Sequence, residues 1–191
     1  MLEIALFPLN TVLFPGGLLP LRIFETRYVD MVVRCTRAND VFGVVLVLDG
    51  SETDPEVKTA TIGTTARIVD FQTLEDGLLG LLCRGERRFR ILAHQRQEDG
   101  LNCAAVEWMP QVARAAVAEE YQPLVPLLRR ALAQLTTIGQ FIEADYEDAS
   151  WVGHRLAELL PLDQSLQQQL LEIDDPNVRL SLLAPLIEVH Q

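Results

Sequence analysis

Signatures of catalysis and of small-ligand binding are what this sequence has least of. No G-x-x-x-x-G-K-[ST] run is present to cradle phosphates, no G-x-G-x-x-G opens a helix after a strand, and no G-x-S-x-G elbow presents a serine. The serines are Ser51, Ser150, Ser165 and Ser181, none in a catalytic setting. His94, His154 and His190 stand far apart, with no carboxylate or cysteine at ligand spacing, so no metal site of local ligands is expected. Cys35, Cys83 and Cys103 are isolated, which gives neither a disulfide framework nor a Cys-x-x-Cys motif and fits a reducing compartment. No apolar run approaches the ~20 residues of a membrane span. Met1-Leu2-Glu3-Ile4 lacks the basic flank and cleavage site of a signal peptide. Positive charge is also short: 16 Lys and Arg face 27 Asp and Glu, a formal charge of −11. An acidic surface repels phosphates and anionic lipid heads, which disfavours nucleic acid and membranes as bulk partners. The expectation is a soluble, cytoplasmic, non-catalytic protein that needs neither cofactor nor metal.

What is present is ample core material, about half of the 191 residues being hydrophobic. Two grammars share it. Residues 1–112 read mostly as strands and 113–191 as helices, an α+β class. In the first half, Leu2–Leu6, Leu18–Ile23, Val41–Leu48, Thr61–Phe71, Leu78–Cys83, Arg87–Gln95 and Cys103–Trp108 are the expected strands. Val41–Leu48 is nearly continuous in apolar residues, as in a strand buried on both faces. One helix interrupts them, with Phe24, Tyr28, Met31, Val32 and Cys35 on one face. It is expected to cap one end of a small barrel. In the second half, Leu124, Leu128, Leu132, Leu135, Ile138 and Ile142 predict a long helix, with Pro123 and Pro126 near its start. A second helix carries Val152, Leu156, Leu159 and Leu160, and a third spans about 163–173. A fourth begins at an Asp175 cap with Pro176 in its first turn and buries Val178, Leu182, Leu183, Leu186 and Ile187. The helical half is the more acidic, net −7 (5 basic, 12 acidic) against −4 (11 basic, 15 acidic) for residues 1–110.

Three clusters carry the functional options. Arg84, Arg87, Arg88 and Arg90 concentrate positive charge, readable as an anion, RNA or acidic-peptide site or as an exposed strand face with arginine–carboxylate pairs. Residues 143–148 are acidic but lack the glycine and ligand spacing of a calcium loop, and read as a solvated connection. Phe14 adjoins Pro15-Gly16-Gly17, a chain reversal where a hydrophobe sits at the tip or tucks inside.

Leu6-Phe7-Pro8-Leu9-Asn10-Thr11-Val12-Leu13-Phe14-Pro15-Gly16, then Leu19–Glu25 and Arg27-Tyr28, resembles the start of the Lon protease N-terminal domain. Phe42-Gly43-Val44-Val45, Ile62-Gly63-Thr64, Ala66-Arg67-Ile68, Asp76-Gly77 and Arg84–Ile91 continue the resemblance. Residues 155–162 and 170–176 carry it through the helical half. Thr26 departs from the pattern, standing where the family commonly has proline after Ile-Phe-Glu, and a local effect alone is expected. The resemblance implies a PUA-like curved β pseudo-barrel followed by an α-helical bundle. It also implies a recognition domain without the ATPase and protease modules, hence no enzyme activity. The expected function is binding of unfolded or client polypeptides, adaptor-like, linked to proteolysis or quality control and to a separate protease. Phe14, Leu18 and Leu48 are the candidate polypeptide contacts. The alternative is RNA binding by a PUA-like module through Arg84, Arg87, Arg88 and Arg90.

Overall fold

The computed structural model describes residues 2–50, 57–135 and 139–188, and its longest element is an 18-residue strand where two were expected. This strand, β6 (Leu79–Arg96), runs straight through Arg84-Gly85-Glu86, where the sequence pattern predicts a break. It is joined by β1 (Leu2–Leu9), β2 (Leu18–Ile23), β3 (Phe42–Asp49), β4 (Lys58–Thr59), β5 (Ile62–Thr73) and β7 (Asn102–Trp108). Antiparallel pairings link β1 to β7, β7 to β6, β6 to β5 and β5 to β3, and a parallel pairing of Leu6–Leu9 with Gly43–Leu46 joins β3 back to β1. Five strands therefore form a closed ring, which leaves less unpaired edge than an open sheet would. β2 lies outside the ring, against the first residues of β6.

The ring buries apolar side chains on both faces. Ile4, Leu6, Val45, Phe89, Ile91, Ala104 and Val106 form one cluster, spaced by two along β1, β6 and β7 as strand pleating requires. The intervening residues, including Phe7, Leu9, Phe42, Val44 and Cys83, pack with helix α1 (Thr26–Ala38) through Tyr28, Met31, Val32 and Cys35. Phe7 stacks on Tyr28 with ring centroids 4.0 Å apart. Residues 42–47 are buried throughout, the two-faced burial their apolar run predicts. Phe24 departs from expectation: it precedes α1 and is exposed. Thr26 occupies the first helical position, the place where proline is also tolerated, so the helix starts without one.

The chain separates into two compact units, Met1–Pro110 and Gln111–Gln191, where the change of sequence pattern places the boundary at 112. The second unit holds α2 (Leu124–Leu132), α3 (Ala149–Leu159), α4 (Gln164–Glu172) and α5 (Pro176–Glu188), with 3₁₀ turns at Glu119–Tyr121 and Gly139–Phe141. α3 packs against α2, α4 and α5 and is buried around most of its circumference. Aspartates start three helices. Asp148 accepts from the Ser150 and Trp151 amides, Asp163 from Leu166, and Asp175 from Asn177 and Val178.

Three expectations fail in this unit. The long helix ends at Leu132, ten residues before Ile142, because its last turn tightens into i to i+3 bonds at Gln134 and Leu135. Ile138 lies outside the described residues. The buried face of α5 is Arg179, Leu180, Leu183 and Ile187, while Val178 and Leu182 are exposed. Leu159, expected on the α3 core face, is also exposed.

Candidate functional site

The glycines at 16, 17 and 85 decide where Phe14 goes. Gly16 adopts φ +74°, which glycine takes without a Cβ penalty. Its amide donates to the Gly85 carbonyl at 2.7 Å, and the Gly85 amide donates to the Gly17 carbonyl at 2.9 Å. A Cβ on Gly85 would overlap the Phe14 carbonyl oxygen, so only glycine lets the reversal dock on β6. Phe14 is consequently fully buried, and its side chain is not available to a partner. Leu18 opens β2 half-buried, opposite Arg84. Leu48, at the end of β3, is 62% exposed, so of the three candidate contacts it alone presents most of its side chain.

The arginine cluster is dispersed by the same stretch of β6. Between Gly85 and Arg88 the register against β5 shifts, and the Thr65 hydroxyl accepts from the Arg87 amide at 3.0 Å. The bulge resets the side-chain alternation that a plain strand would impose. Arg88 is buried and Arg84 half-buried. The Arg87 guanidinium lies 4.7 Å over the Trp108 ring, and Arg90 faces Glu107 at 3.4 Å. The four do not form one solvent-facing row, which is what a phosphate backbone would need.

Other chemistry-bearing groups are accounted for by structure. Asp145 and Glu147 receive the Arg114 guanidinium, at 2.8 and 3.2 Å, and Asp148 caps α3, so the acidic connection is spent on its own contacts. The Arg114 partner holds the Asp145 carboxyl below its usual range. Burial pushes all three thiols up, Cys83 to about 12, which leaves them protonated and unreactive at neutral pH. His94 is exposed on β6, and His154 is buried on α3 in the other unit. Among the described residues no three His, Cys, Asp or Glu side chains are grouped to hold a metal ion. No described helix is long and apolar enough to cross a membrane.

Leu48 borders a groove of about 620 Å³ whose lips come from different strands: Leu48, Val57 and Lys58 on one side, His94, Arg96 and Asn102 on the other. Of these residues, sequence reasoning singled out Leu48 as a contact and missed the rest. Alternation along β6 places His94 and Arg96 on one face, a legible signal, but their approach to Leu48 depends on ring closure.

Comparison with known proteins bears on the whole chain. The family model described as the ATP-dependent protease La (LON) substrate-binding domain matches residues 3–189. A Lon protease of Paraburkholderia phytofirmans is 31% identical over 180 residues, covering 90% of this chain and 22% of that protein. A Lon protease of Cytophaga hutchinsonii is 24% identical, covering 94% and 23%. The chain thus spans about a fifth of the length of these curated relatives. The crystal structure of a Lon N-terminal domain protein from Xanthomonas campestris superposes with TM-score 0.80 at 38% identity, covering 97% of this chain and 98% of that one. The N-terminal domain of the Mycobacterium avium complex Lon protease shares the fold, with TM-score 0.65 at 19% identity, over 99% and 100% of the two chains.

Proposed function

The chain belongs to the Lon substrate-binding domain family, and on that premise we propose that it recognises client polypeptides non-catalytically and passes them to a proteolytic module. The observation that carries this reading is the family match across residues 3–189. The ring closed by the β1–β3 pairing supports reading the first unit as a PUA-like pseudo-barrel, with the helices around α3 as its companion bundle. Unfolded chains differ from folded ones in exposing apolar side chains and unpaired backbone, and the barrel unit offers apolar counterparts at Leu48, Phe71 and Leu92. Buried, protonated thiols suit work in the reducing cytoplasm. The dispersal of Arg84, Arg87, Arg88 and Arg90 weighs against the RNA alternative.

The test is a titration of the protein against a fluorescently labelled, reduced and alkylated model protein that cannot fold. Saturable binding that its native form does not compete away is the expected result. An absence of saturable binding overturns the reading. Binding of single-stranded RNA at low salt in place of the unfolded protein would restore the alternative.

A further inference from the structure

The barrel splits where the chain passes from β4 to β5. The Ala60 amide donates to Leu46 on β3 at 2.8 Å, while one residue later the Thr61 carbonyl accepts from Ile91 on β6 at 2.8 Å. Below that point β5 covers β6 from Arg90 down to Leu79. Above it, β6 continues through Leu92–Arg96 with β7 as its partner, and no strand among the described residues pairs its other edge. The groove of about 620 Å³ opens along this edge. Its far lip is the end of β3 and the start of β4, where Leu48 is 62% exposed and Val57 is half-buried.

An open strand edge presents backbone donors and acceptors in a fixed row, and the occupant that satisfies them is another extended strand. The side chains lining the groove narrow the choice. Among the described residues that line it none is acidic, in a chain of formal charge −11, and Lys58, His94 and Arg96 are all exposed there. Asp49 faces Lys58 at 3.6 Å, but both are about three-quarters exposed, so the pair is weak and gives way to a better-placed carboxylate.

We propose that the Leu92–Arg96 edge of β6 receives an extended polypeptide segment as an added strand, its apolar side chains against Leu48 and Val57 and its acidic ones toward Lys58 and Arg96. This deepens the polypeptide-recognition reading and rests on it. It assigns the contact to a backbone-pairing edge with a preference for apolar segments interrupted by Asp or Glu.

The test uses a fluorescein-labelled octapeptide of alternating Val and Glu, and the same peptide N-methylated at alternate residues. N-methylation keeps every side chain and removes the donors a strand needs. The plain peptide is expected to bind saturably. N-methylation is expected to weaken it about tenfold or more, since at least two backbone hydrogen bonds are lost. Leu48→Asn and the double variant Lys58→Glu/Arg96→Glu should each weaken binding by a similar factor, and exposure of these positions leaves folding intact. Hydrogen exchange should show the Leu92–Arg96 amides slowed by the peptide. If plain and N-methylated peptides bind equally, or Leu48→Asn changes nothing while the unfolded model protein still binds, the edge is not the site and the polypeptide-binding reading survives. If the wild-type protein binds neither peptide nor unfolded protein, both fall.

Discussion

Substituting Gly85 by alanine isolates the contact that fixes the amino-terminal reversal on the barrel. The added methyl would overlap the Phe14 carbonyl oxygen and press on Leu13 Cγ at 3.1 Å, both parts of a buried segment with little room to yield. To reach van der Waals distance the turn must withdraw by about 1 Å. The two bonds it makes to Gly85, now 2.7 and 2.9 Å, would then pass out of hydrogen-bonding range. Their loss costs about 1 kcal/mol each, and the partial uncovering of fully buried Phe14 adds about 1–2 kcal/mol. Gly85→Ala should therefore destabilise the barrel by about 3 kcal/mol. Each unit contains one tryptophan, Trp108 in the first and Trp151 in the second, so the effect can be located. In a Trp151→Phe background, urea unfolding followed by Trp108 fluorescence should show a midpoint lowered by about 2 M, at a slope of about 1.5 kcal/mol per M. A midpoint shift below about 0.5 M at unchanged slope would mean that the turn is not anchored there, and the account of Phe14 as a tucked-in residue would fail with it.

The helical unit and the core thiols give further expectations. Asp148→Ala removes the acceptor of the Ser150, Trp151 and Ala115 amides and should cost about 1–2 kcal/mol by Trp151 fluorescence, whereas Asp148→Asn, which still caps, should cost much less. Arg179→Met should lower stability by about 2–4 kcal/mol in chemical unfolding, because the fully buried guanidinium donates to the Leu170 carbonyl at 2.9 Å and to that of Ile173. Arg179→Lys, with one ammonium in place of a fork, should recover little of the loss. Cys83, fully buried with its thiol pushed up to about 12, should resist aromatic disulfide reagents at pH 8 until urea unfolds the chain. Because that value lies above the unfolded one, its contribution to stability is complete below about pH 9 and is lost as pH rises toward 12. Alkaline unfolding curves of Cys83→Ala should lack this part of the fall.

Features set by neighbours in sequence were legible, and those set by a distant partner were not. The apolar run at 42–47 specified a strand covered on both faces because burial leaves no room for alternation. Asp175 and Pro176 marked the start of α5 because capping acts within one turn. Gly85 by contrast reads locally as a strand break, and only the Phe14 carbonyl lying on it turns the same residue into a condition for strand continuity. Where the four arginines point was illegible for a related reason: parity along a strand holds until a bulge resets it, and the Thr65–Arg87 contact at this bulge spans 22 residues of sequence.

The error on α5 has a single cause that also explains its exposed leucine. A helix face is read from its apolar residues, which put Val178 and Leu182 inside and gave Arg179 no part in the core. The carbonyls of Leu170 and Ile173 lie at the end of α4, where no intrahelical donor remains for them, and Arg179 supplies both bonds from the next helix. Gly153 on α3 makes space for it: a Cβ there would stand 3.2 Å from Arg179 Cδ. Turning Arg179 inward rotates the buried stripe to residues 179, 183 and 187, and a helix that commits this face must show Val178 and Leu182 to the outside. The exposure of those two side chains follows from satisfying a neighbouring helix end, so it carries no implication of a docking surface. The open edge of β6 differs in kind, because no described strand meets its backbone there and the unfilled demand is for another chain.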